Sequence, residues 1–316
     1  MSGIGRREFL GAALAAATVP VTALAETPKV VVARDEALPP NDSARVLKLL
    51  DRAVQSFYGH DSAAEAWKQI ARPGETVGLK VNCLAGRGAS TRILLVEAIV
   101  ERLQQAGIRG SDIIVWDRLN SDLEIAGFPV GQRRDKVRFV GNDSAGFEDD
   151  LAIFGEAGSL LSRTLTRHCN AVINLPVLKD HGIVGVTMAL KNLFGAIHNP
   201  NKYHINNGNP YVADVYAIPE IRRKVRLTIC DALVAQYEGG PSYMPQWSWP
   251  FNGLLVASDP VALDTIGWQI IEAKRKEKGL KSLRELKRAP DYIATAADAR
   301  HRLGVNDARL IRRVEA

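Results

Sequence analysis

The sequence predicts a three-layer α/β fold, a mostly parallel sheet with helices on both faces and inserted loops. Three observations carry that expectation. Short runs that are apolar throughout, such as "DIIVWD" (residues 112–117) and "NAVINLPVLK" (170–179), recur along the 316 residues. A strand without a polar face is one covered on both sides, as in parallel sheets. Between these runs lie segments with helix start and stop signals: 91–106 closes on Gly107, and 260–279 has Asp259 as its N-cap and Pro260 at its first position. The composition, 46% hydrophobic and 24% charged, is that of a globular chain long enough to bury a large core.

In chain order, residues 1–25 stand apart. Arg6 and Arg7 precede an Ala-rich apolar stretch, and Ala23-Leu24-Ala25 forms a small-x-small cleavage site. The run "RREFL" resembles the twin-arginine export signal. That resemblance implies a periplasmic or exported protein, folded before passage through its translocase, often around a cofactor. No later segment reaches membrane-spanning length, so no stable membrane insertion of the mature protein is expected. Residues 26–316 read as a single α/β domain, with a weaker alternative boundary near 145. "KVVVAR" (29–34) is a strand, followed by helices at 43–57 and 63–70. "TVGLKVNC" (76–83) is a buried strand, and the Gly-rich loop 84–90 feeds the helix 91–106. Strands follow at 112–117 and 136–142, then an irregular loop at 144–163, a strand at 170–179 and an apolar helix over 184–197. A second irregular loop occupies 198–212, and the last strands are "VRLTICDAL" (225–233) and "GLLVASD" (253–259).

Charge and cysteine usage exclude several classes. The net charge of +6 is scattered apart from residues 273–287. That cluster has no interleaved aromatics, so nucleic acid is not an expected partner. Cys83, Cys169 and Cys230 form no Cys-x-x-Cys pair, so no iron–sulfur cluster or four-thiolate zinc site is expected within one chain. They make either one disulfide and a free thiol, or three buried thiols. No Gly-x-Ser-x-Gly elbow, Walker loop or His-Glu-x-x-His is present.

Polar residues collect where the strands end: Lys80 and Asn82, Asp117, Lys179 and His181, Asp231, and Asp259. Ligands of open α/β sheets bind at that edge. The segment 184–197 places Thr187, Lys191, Gly195 and His198 at spacings of four, four and three, one face of a helix, with Asn192 at its flank. Lysine is almost never buried unpaired. Lys191 therefore needs a carboxylate such as Asp231 or Asp264, an anionic ligand, or solvent. In the functional reading, Lys80, Asn82, Ser90, Thr91, Lys179, Asn192 and Glu238 line a site for a small anionic ligand. His181, Lys191 and Asp231 are then its catalytic groups, and His181, His198 and His204 are candidate ligands of a metal ion or proton carriers. The cofactor is otherwise unspecified.

The blocks "VGLKVNCLAG", "DIIVWDR", "INLPVLKDHGIVGVTMALKNLFGAI", "LTICDAL" and "SDPVALD" resemble the bacterial and archaeal family named domain of unknown function 362. The resemblance covers about residues 70–270 and implies no general activity. Some of its members carry a fused ferredoxin-type segment, whose cysteine runs are absent here. The chain is also loosely similar to nickel-pincer lactate racemases, in which a helix-borne lysine tethers the cofactor and histidines act as metal ligand and acid or base. His181 precedes Lys191 by ten residues and His204 follows it by thirteen, while the racemases' Gly-rich signature is not matched. These readings point to an exported enzyme, cofactor- or metal-assisted, performing redox or proton-transfer chemistry on a small organic anion. The alternative is a periplasmic ligand-binding or cofactor-delivery protein.

Overall fold

The computed structural model describes residues 27–316 apart from 40, 132 and 135, with 133 and 134 described in backbone only. Residues 1–25, expected to be an export signal, lie outside the described residues. Alternation within the strands explains the layering. In the first and third strands Val30, Val32, Ile114 and Trp116 face one apolar core, and Val31, Ala33, Ile113 and Val115 face the other. Helices Ser43–Tyr58, Ala63–Lys68 and Ile93–Gln105 cover one side; Tyr211–Ala217, Pro260–Glu277 and Tyr292–Ala296 cover the other. Burial on both faces is what the uninterrupted apolar runs require.

The strands are β1 (Lys29–Arg34), β2 (Val77–Lys80), β3 (Ile113–Asp117), β4 (Arg133–Arg134), β5 (Val137–Gly141), β6 (Phe147–Phe154) and β7 (Ala157–Ser162). They continue as β8 (Ala171–Asn174), β9 (Val177–His181), β10 (Gly185–Thr187), β11 (Val225–Gln236), β12 (Ser248–Trp249), β13 (Gly253–Ala257) and β14 (Arg312–Glu315). The main sheet runs β14-β1-β13-β11-β8-β2-β3-β5-β4. Its centre, from β11 through β8, β2 and β3 to β5, is parallel. Strand β13 is antiparallel to both β1 and β11, so the mostly parallel sheet carries an antiparallel flank. The predicted caps hold: Asp259 Oδ1 accepts from the Ala262 N–H at 2.8 Å at the start of Pro260–Glu277. All three cysteines are buried and free.

Three predicted elements take a different form. The segment 184–197 is not one helix. Strand β9 turns back into β10, pairing Lys179 with Thr187 and Asp180 with Val186. Only then does a helical turn, Ala189–Asn192, run into the 3-10 turn Leu193–Ala196. Gly185 has φ +88, and a Cβ there would lie 2.4 Å from the Arg288 carbonyl oxygen, so the chain must leave any helical path at this point. Val184, Val186 and Thr187 are β-branched and suit a strand. The turn begins where Asp264 accepts the N–H groups of Ala189 and Leu190 at 2.7 and 3.1 Å. Asp264 is thus occupied as a cap and not as a partner of Lys191. The loop expected at 144–163 is the hairpin β6–β7, and that at 198–212 holds the 3-10 segment Pro200–Gly208 and the first residues of Tyr211–Ala217.

Candidate functional site

Parallel pairing brings the carboxyl ends of β2 and β3 to one edge, with Lys80 in register with Trp116 and beside Asp117. The β9–β10 hairpin and the turn Ala189–Asn192 close over that edge around a cavity of about 350 Å³. Lys80, Asn82, Asp117, Lys179, His181, Thr187, Lys191, Asn192, Gly195 and His204 contribute to its wall.

Three lysines enter it, and they differ in what holds them. Lys80 Nζ donates to Asp117 Oδ1 and to the Val81 carbonyl, each at 2.7 Å. Asp117 Oδ2 in turn accepts the Cys83 N–H at 2.7 Å. Gly195 lets this pair pass: a Cβ there would stand 2.6 Å from Lys80 Cε and 2.8 Å from Asp117 Oδ1. Lys179 is 1% exposed and donates to Asn82 Oδ1 at 2.9 Å and the Ala89 carbonyl at 2.8 Å. Asn82 is fixed by Thr91, whose Oγ1 accepts the Asn82 N–H at 2.8 Å while donating to the Leu175 carbonyl. Asn82 also donates to Asn192 Oδ1 at 2.9 Å, and Asn192 donates to Asn174 at 2.8 Å, so an amide chain tethers the turn to β2 and β8.

Lys191 is different. It is only 7% exposed, and among the described residues no carboxylate or hydrogen-bond acceptor meets its Nζ, which lies 4.6 Å from the centre of the Phe194 ring. Burial, reinforced by the charges of Lys179 and Arg118, pushes its amine down to about 7. Burial likewise lowers Lys179, to about 8. The cavity's carboxylates are already engaged: Asp117 with Lys80 at 2.7 Å and Asp122 with Arg118 at 3.6 Å. The Thr187 hydroxyl on the same wall is buried without a hydrogen-bond partner.

The two cavity histidines have opposite tautomers. The backbone N–H groups of Ile183 and Val184 both donate to His181 Nδ1, at 3.2 and 3.3 Å. The neutral ring must therefore carry its proton on Nε2. Desolvation, with the nearby Lys191 charge, holds this imidazole down at about 2. His204 Nδ1 lies 3.1 Å from the Asn201 carbonyl, which can only accept, so Nδ1 bears the proton and Nε2 keeps its lone pair. Burial lowers His204 as well. Their rings stack at 5.3 Å. The site thus holds a neutral N–H donor, a neutral nitrogen base and an amine near neutrality.

The structure therefore brings together Lys80, Asn82, Lys179, His181, Lys191, Asn192 and His204 of the expected residues, and places five others elsewhere. Asp231 lies within the long strand β11, not at its end, and is fully engaged by the N–H groups of Arg92 at 2.8 Å and Leu233 at 3.0 Å. It caps the entry to helix Ile93–Gln105 and is no catalytic partner. Glu238 pairs with Arg275 and Arg288, which removes it from the ligand-binding set. Ser90 is buried beside the loop but off the cavity wall, and Thr91 acts only through Asn82. His198 packs on Phe147, ring centres 5.1 Å apart, in a neighbouring depression. The expected metal set His181, His198 and His204 is thus not assembled, and His181 Nδ1 and His204 Nδ1 are each committed to the backbone. Among the described residues no group of three or more His, Cys, Asp or Glu side chains is placed to hold a metal ion. Sequence reasoning passed over Asp117 as a strand end and missed Arg118, Asp122, Phe194 and Asn201. Asp117 was recoverable, because a parallel neighbour of β2 must end beside Lys80.

A family model described as domain of unknown function (DUF362) matches residues 77–269. A thylakoid-associated protein of Synechocystis sp. is 29% identical over 251 residues, which are 75% of this chain and 70% of that protein. A solved structure of a Thermotoga maritima protein aligns with a TM-score of 0.44 at 10% identity, over 77% of this chain and 60% of that one.

Proposed function

The chain belongs to the domain of unknown function (DUF362) family, whose matched segment encloses every residue lining the cavity, and from that premise we propose that the cavity is an enzyme active site where a small organic anion undergoes proton transfer. The observation that carries this reading is Lys191, a buried amine with no counter-charge among the described residues, beside the still more buried Lys179. A protein gains nothing in stability from such a group. An anionic ligand supplies the missing partner. Lys179 has two acceptors for three N–H donors and keeps one for a carboxylate. The Thr187 hydroxyl offers a second donor. Lone-pair-bearing His204 Nε2 is the base, and His181 Nε2–H stabilises charge developing on a substrate oxygen without having to be cationic.

Calorimetry with small carboxylates tests the site. Binding to the wild type should weaken by about tenfold or more in Lys179→Met and Lys191→Met, the loss of one charge-assisted contact each. Absence of binding, or affinity indifferent to both substitutions, contradicts the reading. Proton transfer is tested separately in deuterated water: deuterium should enter a bound carboxylate at the carbon next to its oxygen-bearing carbon, and His204→Gln should stop it. Residues 1–25 are proposed as a twin-arginine-type export signal that directs the chain to the periplasm. Arg6→Lys together with Arg7→Lys should leave an uncleaved chain in the cytoplasm; normal export of that variant refutes it.

A further inference from the structure

We infer that Lys191 is a nucleophilic amine that condenses with the carbonyl carbon of a small 2-oxo acid to form an imine. This rests on the reading of the cavity as an organic-anion site and goes further by naming the substrate class and a covalent step. The ground is the contrast among three buried lysines in one cavity. Lys80 and Lys179 each donate to two oxygens at 2.7–2.9 Å, so both amines are held by fixed acceptors. Among the described residues Lys191 has only the Phe194 ring face at 4.6 Å, a weak attraction that satisfies none of its donors. An amine so placed is comfortable uncharged, and an uncharged amine is the form that attacks a carbonyl. Desolvation and the neighbouring Lys179 and Arg118 charges lower it to about 7, so a sizeable share is free base at neutral pH.

The other groups complete the step. Lys179 holds the substrate carboxylate with its unused N–H, and the unpartnered Thr187 hydroxyl reaches the same ligand. The Lys191 nitrogen lone pair forms the C–N bond while the carbonyl oxygen takes a hydrogen bond from His181 Nε2–H. The two nitrogen protons pass to that oxygen, carried by His204 Nε2, and the C–O bond breaks. The products are the imine and one water, so atoms balance and no oxidant or reductant takes part.

The test is reductive trapping of the full-length protein with pyruvate and sodium borohydride, followed by peptide mass spectrometry, beside calorimetry with pyruvate and no reductant. The expected result is one adduct, the mass of pyruvate less one oxygen, on the peptide bearing Lys191, at least about tenfold above any exposed lysine because those remain almost wholly protonated at neutral pH. Lys191→Arg should lose the adduct; should that variant not fold, the wild-type peptide map still decides the position. Pyruvate bound in the cavity without an adduct at Lys191 overturns the imine and leaves the anion site standing. Failure of pyruvate to bind overturns both.

Discussion

Replacing Lys191 by methionine tests the site through stability. The side chain is 7% exposed and has no acidic partner among the described residues. Its amine falls from 10.5 to about 7 on folding. At about 1.4 kcal/mol per pKa unit, the folded state pays at most about 5 kcal/mol at pH 7 to keep this group. Methionine has a similar length, adds no charge and retains contact with Phe194, so Lys191→Met should stabilise the protein by about 1–4 kcal/mol. The pH dependence has a definite sign. Because the folded value lies below the unfolded one, the unfolded chain binds more protons between pH 7 and 10.5, and wild-type stability rises with pH across that window. The variant should lose that rise, keeping only the part from Lys179, whose window opens near 8. Urea denaturation of both proteins at about pH 6, 7.5 and 9 reads midpoint and slope together. A variant less stable by about 2 kcal/mol or more, with the pH slope intact, would refute the reasoning, since it would mean that Lys191 has a structural partner.

Asp117→Asn leaves Lys80 buried without its counter-charge and should cost about 3–5 kcal/mol, most of it recovered when Lys80→Met is added; two additive losses in chemical denaturation would contradict the pairing. Gly195→Ala drives a Cβ against Lys80 and Asp117 and should lower the stability to denaturant by about 1–3 kcal/mol while weakening anion binding. Asp231→Ala removes two buried backbone contacts and should cost about 1–3 kcal/mol with anion affinity unchanged in the folded fraction; a selective loss of binding would return Asp231 to the site. His181, with its neutral form favoured by burial down to about 2, should make stability fall as pH drops below about 6.5, and His181→Gln should remove that component from an acid titration.

The layers were legible because β2, β3, β8 and β13 are apolar on both faces, which only a covered sheet explains. The cap at Asp259 was legible because its side chain accepts a backbone N–H only three residues further on. The segment 184–197 was not. A spacing of four also arises when the last residue of a hairpin and the turn after it face one cavity, as Thr187, Lys191 and Gly195 do. The stripe thus named three true neighbours through the wrong element. Its fourth member, His198, departs because Ile197 bridges to Leu161 and turns the chain toward β7. Asp231 was read as a strand end, whereas β11 continues to Gln236. Glu238 meets Arg275 and Arg288 across 37 and 50 residues, a pairing that local pattern does not encode. The histidine tautomers depend on carbonyl and N–H positions set by turns, and so lay beyond a reading of residue types.

The most direct test of the unpartnered amine is a pH titration of the lysine Cε resonances in isotopically labelled protein. The account predicts one resonance with a midpoint near 7 that is missing from Lys191→Met, and that moves upward when malonate fills the cavity. A spectrum in which every lysine titrates at its ordinary value of about 10.4 would contradict it.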